Sequence, residues 1–252
     1  RRITQSGNCP ATNRRCDTTP TTAIFEFTAP ALGATAMKVL SIEFGQVSWI
    51  FDVSLPNGGL YLPESVPKLL EKYGFGKFPT TDELLAESTN AAFEHGTYSN
   101  ILIRKFAIYN DGLVAESKAG NEAARDFLDD FMDWAKVEFG ATVSGVDEPY
   151  RIYDSRMIVQ MDMDLQAQMK FTSPILEQLQ EHMVDYGLPK EDYDIYGFSL
   201  QTDQTSITNK YTSPFRVERR IGKAFDKNVY FCAAPLKTND HESLLRKLER
   251  FI

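Results

Sequence analysis

The residues best placed to do chemistry are the two carboxylates of Asp162-Met163-Asp164. In an extended strand, residues two apart share a face at about 7 Å, a spacing at which a pair of carboxylates can hold a hard divalent ion such as Mg²⁺ or Mn²⁺ for phosphoryl transfer or hydrolysis. Glu43, Glu116 and Asp154 are the acids that could complete such a site, and nothing in the sequence selects among them. The same pair on the polar side of an amphipathic strand is also ordinary solvation. His95, His182 and His241 fall on three separate expected helices without the H-x-x-x-H or H-E-x-x-H spacing of a zinc site. No nucleophile elbow, P-loop or dinucleotide-binding glycine pattern occurs, and Gly74-Phe75-Gly76 before Lys77 reads as a helix stop followed by a loop. Cys232 lies inside the apolar run Val229 to Ala233 and reads as a small buried hydrophobe, while Cys9 and Cys16 have no second pair to complete a metal site. With one thiol after Met37, the chain is expected in a reducing, cytoplasmic compartment. The absence of a local catalytic signature favours a non-catalytic role and no cofactor.

Charge is distributed unevenly. From Met37 to Gln204 there are 13 Lys and Arg against 28 Asp and Glu, whereas from Thr205 to Ile252 there are 10 against 5. An acidic body and a basic C-terminal end are therefore expected, and such asymmetry bears on partners and encounter rates. Arg216, Arg219, Arg220, Arg246 and Arg250 are the candidate interaction surface, for an acidic protein partner or for self-association through complementary charge. Strand alternation turns Arg219 toward Phe215, Val217 and Ile221, the side opposite Arg216 and Arg220. A nucleic-acid binder using these arginines is the further alternative, disfavoured by the acidic total of −8 because duplex affinity rests on neutralising phosphates.

The elements that must position these residues follow from periodicity. Alternating runs Val39 to Phe44 and Val47 to Val53 flank Gly45-Gln46, which predicts a two-residue hairpin. Ile101 to Tyr109 and Leu113 to Ser117 flank Asn110-Asp111-Gly112 and predict a second. Between them, Val66, Leu69, Leu70 and Tyr73 line one helix ending at Gly74. A second helix opens on a capping box at Thr80 to Glu83, buries Leu84, Leu85 and Ala92, and ends near Gly96. The strongest helix runs from an Asn121 cap to Gly140, with Ala124, Phe127, Leu128, Phe131, Trp134 and Ala135 as its stripe. A long strand through Met157, Val159, Met161, Met163 and Leu165 comes next. Ser173-Pro174 then opens a helix that buries Leu176, Leu179 and Met183 and ends at Gly187. Strands near Tyr193 to Gln201, Phe215 to Ile221 and Asn228 to Ala234 precede a final helix from Asp240 carrying Leu244, Leu245 and Leu248.

This order predicts an α+β fold with a mostly antiparallel or mixed sheet and helices packed on it. Residues 37–252 are expected to form one domain, with a candidate sub-boundary at 140–149, where Gly, Ser, Thr, Asp and Pro concentrate. Residues 1–36, rich in Thr, Ala, Pro and Asn and without periodicity, are expected to be a disordered tail or an extension outside the native protein, Met37 reading as a start. No apolar run approaches the ~20 residues of a membrane span, so a soluble chain without membrane partners is expected. The function that fits these features is a non-catalytic interaction or assembly module, with the metal-dependent enzyme using Asp162 and Asp164 as the alternative.

Overall fold

The computed structural model describes residues 37–51, 60–85, 91–141, 150–203, 205 and 212–251. The N-terminal 36 residues and most of the candidate sub-boundary lie outside them. Eight strands, β1 (Lys38–Ile50), β2 (Ala91–Tyr98), β3 (Ile101–Tyr109), β4 (Gly112–Ser117), β5 (Tyr150–Gln160), β6 (Gly197–Leu200), β7 (Phe215–Arg219) and β8 (Val229–Ala234), make one sheet in the order β2-β3-β4-β1-β5-β8-β7-β6. Every neighbouring pair is antiparallel. Six helices accompany it among the described residues: α1 (Leu62–Tyr73), α2 (Thr81–Leu85), α3 (Asn121–Phe139), α4 (Leu165–Gln168), α5 (Ser173–Asp185) and α6 (Thr238–Phe251). The fold is α+β.

The order of elements repeats. A strand, two helices, three strands and a helix make up β1 to α3, and the same succession makes up β5 to α6. The first half contributes β2-β3-β4-β1 to the sheet and the second contributes β5-β8-β7-β6, so the halves mirror each other across the central β1–β5 pair. The first residues of α3 and α6, Asn121 and Thr238, meet in a buried clasp beside this pair. The Asn121 amide nitrogen donates to Thr238 Oγ1 at 3.0 Å, the Thr238 amide donates to Asn121 Oδ1 at 2.8 Å, and Asn121 Nδ2 donates to the Leu236 carbonyl at 2.8 Å. The expected Asn121 cap is thus replaced: Gly120 occupies the N-cap position, and the asparagine side chain joins the two halves.

Each half has its own core on the helix-bearing side of the sheet. In the first, α1 and α3 lay Leu69, Tyr73, Phe127 and Phe131 against Phe93 and Phe106, with aromatic centroids as close as 4.7 Å. In the second, α6 lays Leu245 against Met157, Val159, Val217, Tyr230 and Cys232.

Three expectations are corrected. The Gly45-Gln46 hairpin does not form: β1 is one 13-residue strand between β4 and β5, with register shifts near Ser41 and Phe44. Gly45 is required because a Cβ there would run into the backbone of Gly120 and Asn121, so the glycine marks a close approach rather than a turn. The second helix keeps its capping box, with Thr80 N donating to Glu83 Oε2 at 2.7 Å, and is described over Thr81–Leu85, but it does not reach Gly96. Residues 91–98 are β2, whose Ala91 and Phe93 point into the core while Ala92 is exposed, and Gly96 lies under the Phe75 ring. Finally, the long strand ends at Gln160. The Met161 amide donates to the Asn228 carbonyl, and Asp164 caps α4 by accepting from Gln166 N at 3.0 Å. Met161, Met163 and Leu165 are still buried, the methionines in the irregular segment after β5 and Leu165 at the start of α4.

Candidate functional site

Arg219, at the end of β7, is 3% exposed, and alternation turns it to the core side as expected. Its Nε donates to the Ile195 carbonyl at 3.0 Å and its Nη1 to the Phe225 carbonyl at 2.8 Å. Its Nη2 reaches Asp194 Oδ2 at 2.8 Å and Asp164 Oδ1 at 3.1 Å. The guanidinium also lies 4.5 Å from the centre of the Phe225 ring. A buried cation needs this degree of pairing, since desolvation otherwise outweighs Coulomb attraction. Arg219 therefore anchors the α4 turn, the 192–196 segment and the Phe225–Lys227 turn to the sheet.

The two aspartates expected to bind metal are engaged differently. Asp164 accepts from Gln166 N and Arg219, and the Asp162 amide donates to Glu249 Oε1 at 2.9 Å. Because β5 has ended, the two do not share a strand face. Among the described residues no three His, Cys, Asp or Glu side chains are grouped so as to hold a metal ion. Cys232 is fully buried and burial pushes its thiol well above the usual range. His241 is buried with Nδ1 3.1 Å from Ser155 Oγ, while its Nε2 has no partner among the described residues; burial lowers its pKa to about 4, so the ring is neutral.

The five arginines are not brought onto one surface. Arg216 lies on the sheet face opposite Val217, whereas Val217 packs in the core with Leu245 of α6. Arg246, on that helix, pairs with Glu242 at 2.7 Å and donates to the Met37 carbonyl at 2.9 Å. Arg250 is exposed further along α6, Arg220 is half-buried beyond β7, and Arg219 is enclosed.

A different surface is conspicuous. The helix from Ser173 was expected to bury Leu176, Leu179 and Met183; the structure corrects this, because α5 has no buried residue. Leu176 and Met183 are half-buried, and Leu179 is exposed. Phe171 is 75% exposed, Ile175 65% and Tyr186 75%, and with Leu179 they recur at the spacing of one helical stripe. The Tyr186 ring stacks with His182 at 6.4 Å. Beside the stripe, Glu177, Glu181 and Asp185 recur every four residues and form a row. Among the described residues none of the three carboxylates makes an ion pair or hydrogen bond. From Met161 to Tyr196 the chain carries eight Asp and Glu against Lys170 and Lys190.

Under α5 is a cavity of about 420 Å³ whose walls include Gln166, Leu176, Tyr193 and Phe225, with Glu177 and Asp192 among its other lining residues. Gln180 laces α5 to the following segment by donating to the Glu191 carbonyl at 2.9 Å. A second cavity, about 330 Å³, includes Gln46, Ser48, Asp154 and Ser213; Asp154 Oδ1 and Ser213 Oγ are buried there without partners among the described residues, and ordered water is the usual occupant of such a site.

The chain matches no protein-family model and no curated protein. The sequence reading missed the α5 surface because it assigned that helix's apolar residues to a core. The available signal was their spread: Ile175, Leu176, Leu179, Met183 and Val184 extend over about 180° of the helix circumference, wider than one core-facing stripe.

Proposed function

We propose that the chain is a non-catalytic protein-interaction module and that the α5 lobe, residues 161–196, is the surface it presents. The observation that carries the reading is the contrast between the halves. The longer of the two helices after β1, α1, buries Leu62, Val66, Leu69 and Tyr73, whereas the longer of the two after β5, α5, has no fully buried residue. Contiguous exposed apolar surface rimmed by charge is the usual mark of a docking site. The reading as a metal-dependent enzyme draws no support from Asp162 and Asp164, one of which is engaged by Arg219. Binding nucleic acid through the arginines would need a contiguous basic strip, and they are dispersed. No helix among the described residues is long and apolar enough to cross a membrane.

The test is a peptide-display selection against the full chain, followed by affinity measurements on a Phe171→Asp/Ile175→Asp variant. Selected ligands should bind the variant at least about tenfold more weakly while its denaturation midpoint stays unchanged, as expected for the loss of a docking hot spot. Ligands that bind both proteins equally would refute the assignment.

A further inference from the structure

We infer that the partner of the α5 lobe is a basic amphipathic helical segment, lying along α5 with its apolar side on Phe171, Ile175, Leu179 and Tyr186 and its Lys or Arg side chains against Glu177, Glu181 and Asp185. The inference rests on the reading of this lobe as a docking surface and adds the chemistry of what docks.

The shape of the surface selects a helix. Thirteen residues of α5 span about 20 Å, and both the apolar stripe and the acidic row run along that length. A partner helix presents apolar anchors and cations with the same four-residue recurrence, so several of each can be engaged together. An extended partner would instead add to a sheet edge. The edge on this side of the molecule is β6, only four residues long, which offers few main-chain hydrogen bonds.

Charge selects the sign. The lobe has a net balance of −6 between Met161 and Tyr196, and the carboxylates of the α5 row are unpaired among the described residues. Opposite charge on the partner would speed encounter and fix its register on α5, while an acidic segment or a nucleic acid would be repelled. The cavity beneath α5 adds specificity. Its apolar wall of Leu176, Tyr193 and Phe225 can receive one large side chain, and Glu177 and Asp192 can meet a flanking cation.

The experiment measures fluorescence anisotropy on the full chain with two labelled peptides of about 18 residues, a Leu/Lys amphipathic helix and its Leu/Glu counterpart. The Leu/Lys peptide should bind and the Leu/Glu peptide should not. Glu177→Lys/Glu181→Lys should weaken binding by about tenfold and flatten its salt dependence, whereas Asp133→Lys on the exposed side of α3 should change it by less than about twofold. Ile175→Asp/Leu179→Asp should abolish binding without shifting the denaturation midpoint. If the Leu/Glu peptide binds as tightly and is also lost in Ile175→Asp/Leu179→Asp, the basic partner is overturned and the docking surface stands. Leu/Lys binding that survives Ile175→Asp/Leu179→Asp overturns both. A dimer of the chain that dissociates in that same variant makes a second copy the occupant and overturns the basic segment.

Discussion

Stability should fall steeply with acid because of one buried ring. His241 on α6 is fully buried, with Ser155 Oγ as the only hydrogen-bond partner of its ring among the described residues and Phe215 packed edge-on at 6.1 Å. Burial lowers its pKa from 6.5 to about 4. The unfolded chain therefore takes up a proton below about pH 6.5, which the folded chain refuses until about pH 4. The stability held by the neutral ring is complete above pH 6.5 and is lost as the pH falls toward 4. At 1.36 kcal/mol per unit, the shift corresponds to roughly 3 kcal/mol. His241→Leu, close in volume, removes the titration and leaves Ser155 Oγ without this partner, a pH-independent cost of about 1 kcal/mol. Urea denaturation followed through Trp49 and Trp134 fluorescence should show wild type more stable than the variant at pH 7. The difference should reverse by pH 4, the curves having shifted relative to each other by about 3 kcal/mol. Parallel curves, within about 0.5 kcal/mol from pH 7 to 4, would show that water reaches the ring and would refute the reasoning.

Arg219→Met should cost about 3 kcal/mol by leaving the half-buried Asp194 carboxylate without its guanidinium, and hydrogen exchange of residues 161–196 should accelerate more than that of α3. Gly45→Ala should cost at least about 1–3 kcal/mol, because the added methyl meets backbone that belongs to the Asn121–Thr238 clasp; urea titration would measure it. Cys232 should resist alkylation in the native protein and react at the rate of unfolding, which peptide mapping after timed iodoacetamide treatment would follow.

How much of this was legible in the sequence depended on whether a signal was local. The β3–β4 hairpin was readable because Asn110-Asp111-Gly112 specifies a turn by itself, and α3 because its stripe persists over five turns. The β2–β3 turn was not: Ser99 and Asn100 both adopt positive φ, and serine there is a weak signal. Ala91 and Ala92 favour helix intrinsically, so β2 is a strand through pairing with β3. Gly45 was misread because an interior glycine means either a turn or a close approach, and only the position of α3 decides which. The inward direction of Arg219 followed from alternation, but its partners Asp164 and Asp194 are distant in sequence and no spacing rule connects them. The repeat of the two halves lies in topology and in corresponding core positions such as Leu128 and Leu245, not in sequence self-similarity. The α5 surface escaped for a related reason: periodicity shows that a face is apolar, not that something covers it.

The central claim, that α5 is where a partner docks, is tested most directly by methyl NMR of the full chain titrated with the Leu/Lys helical peptide. The account predicts shift changes concentrated at Ile175, Leu176, Leu179 and Val184, with Leu40, Leu102 and Ile221, exposed elsewhere, unmoved. Changes centred on Leu40, Leu102 or Ile221 while the α5 methyls stay in place would contradict it.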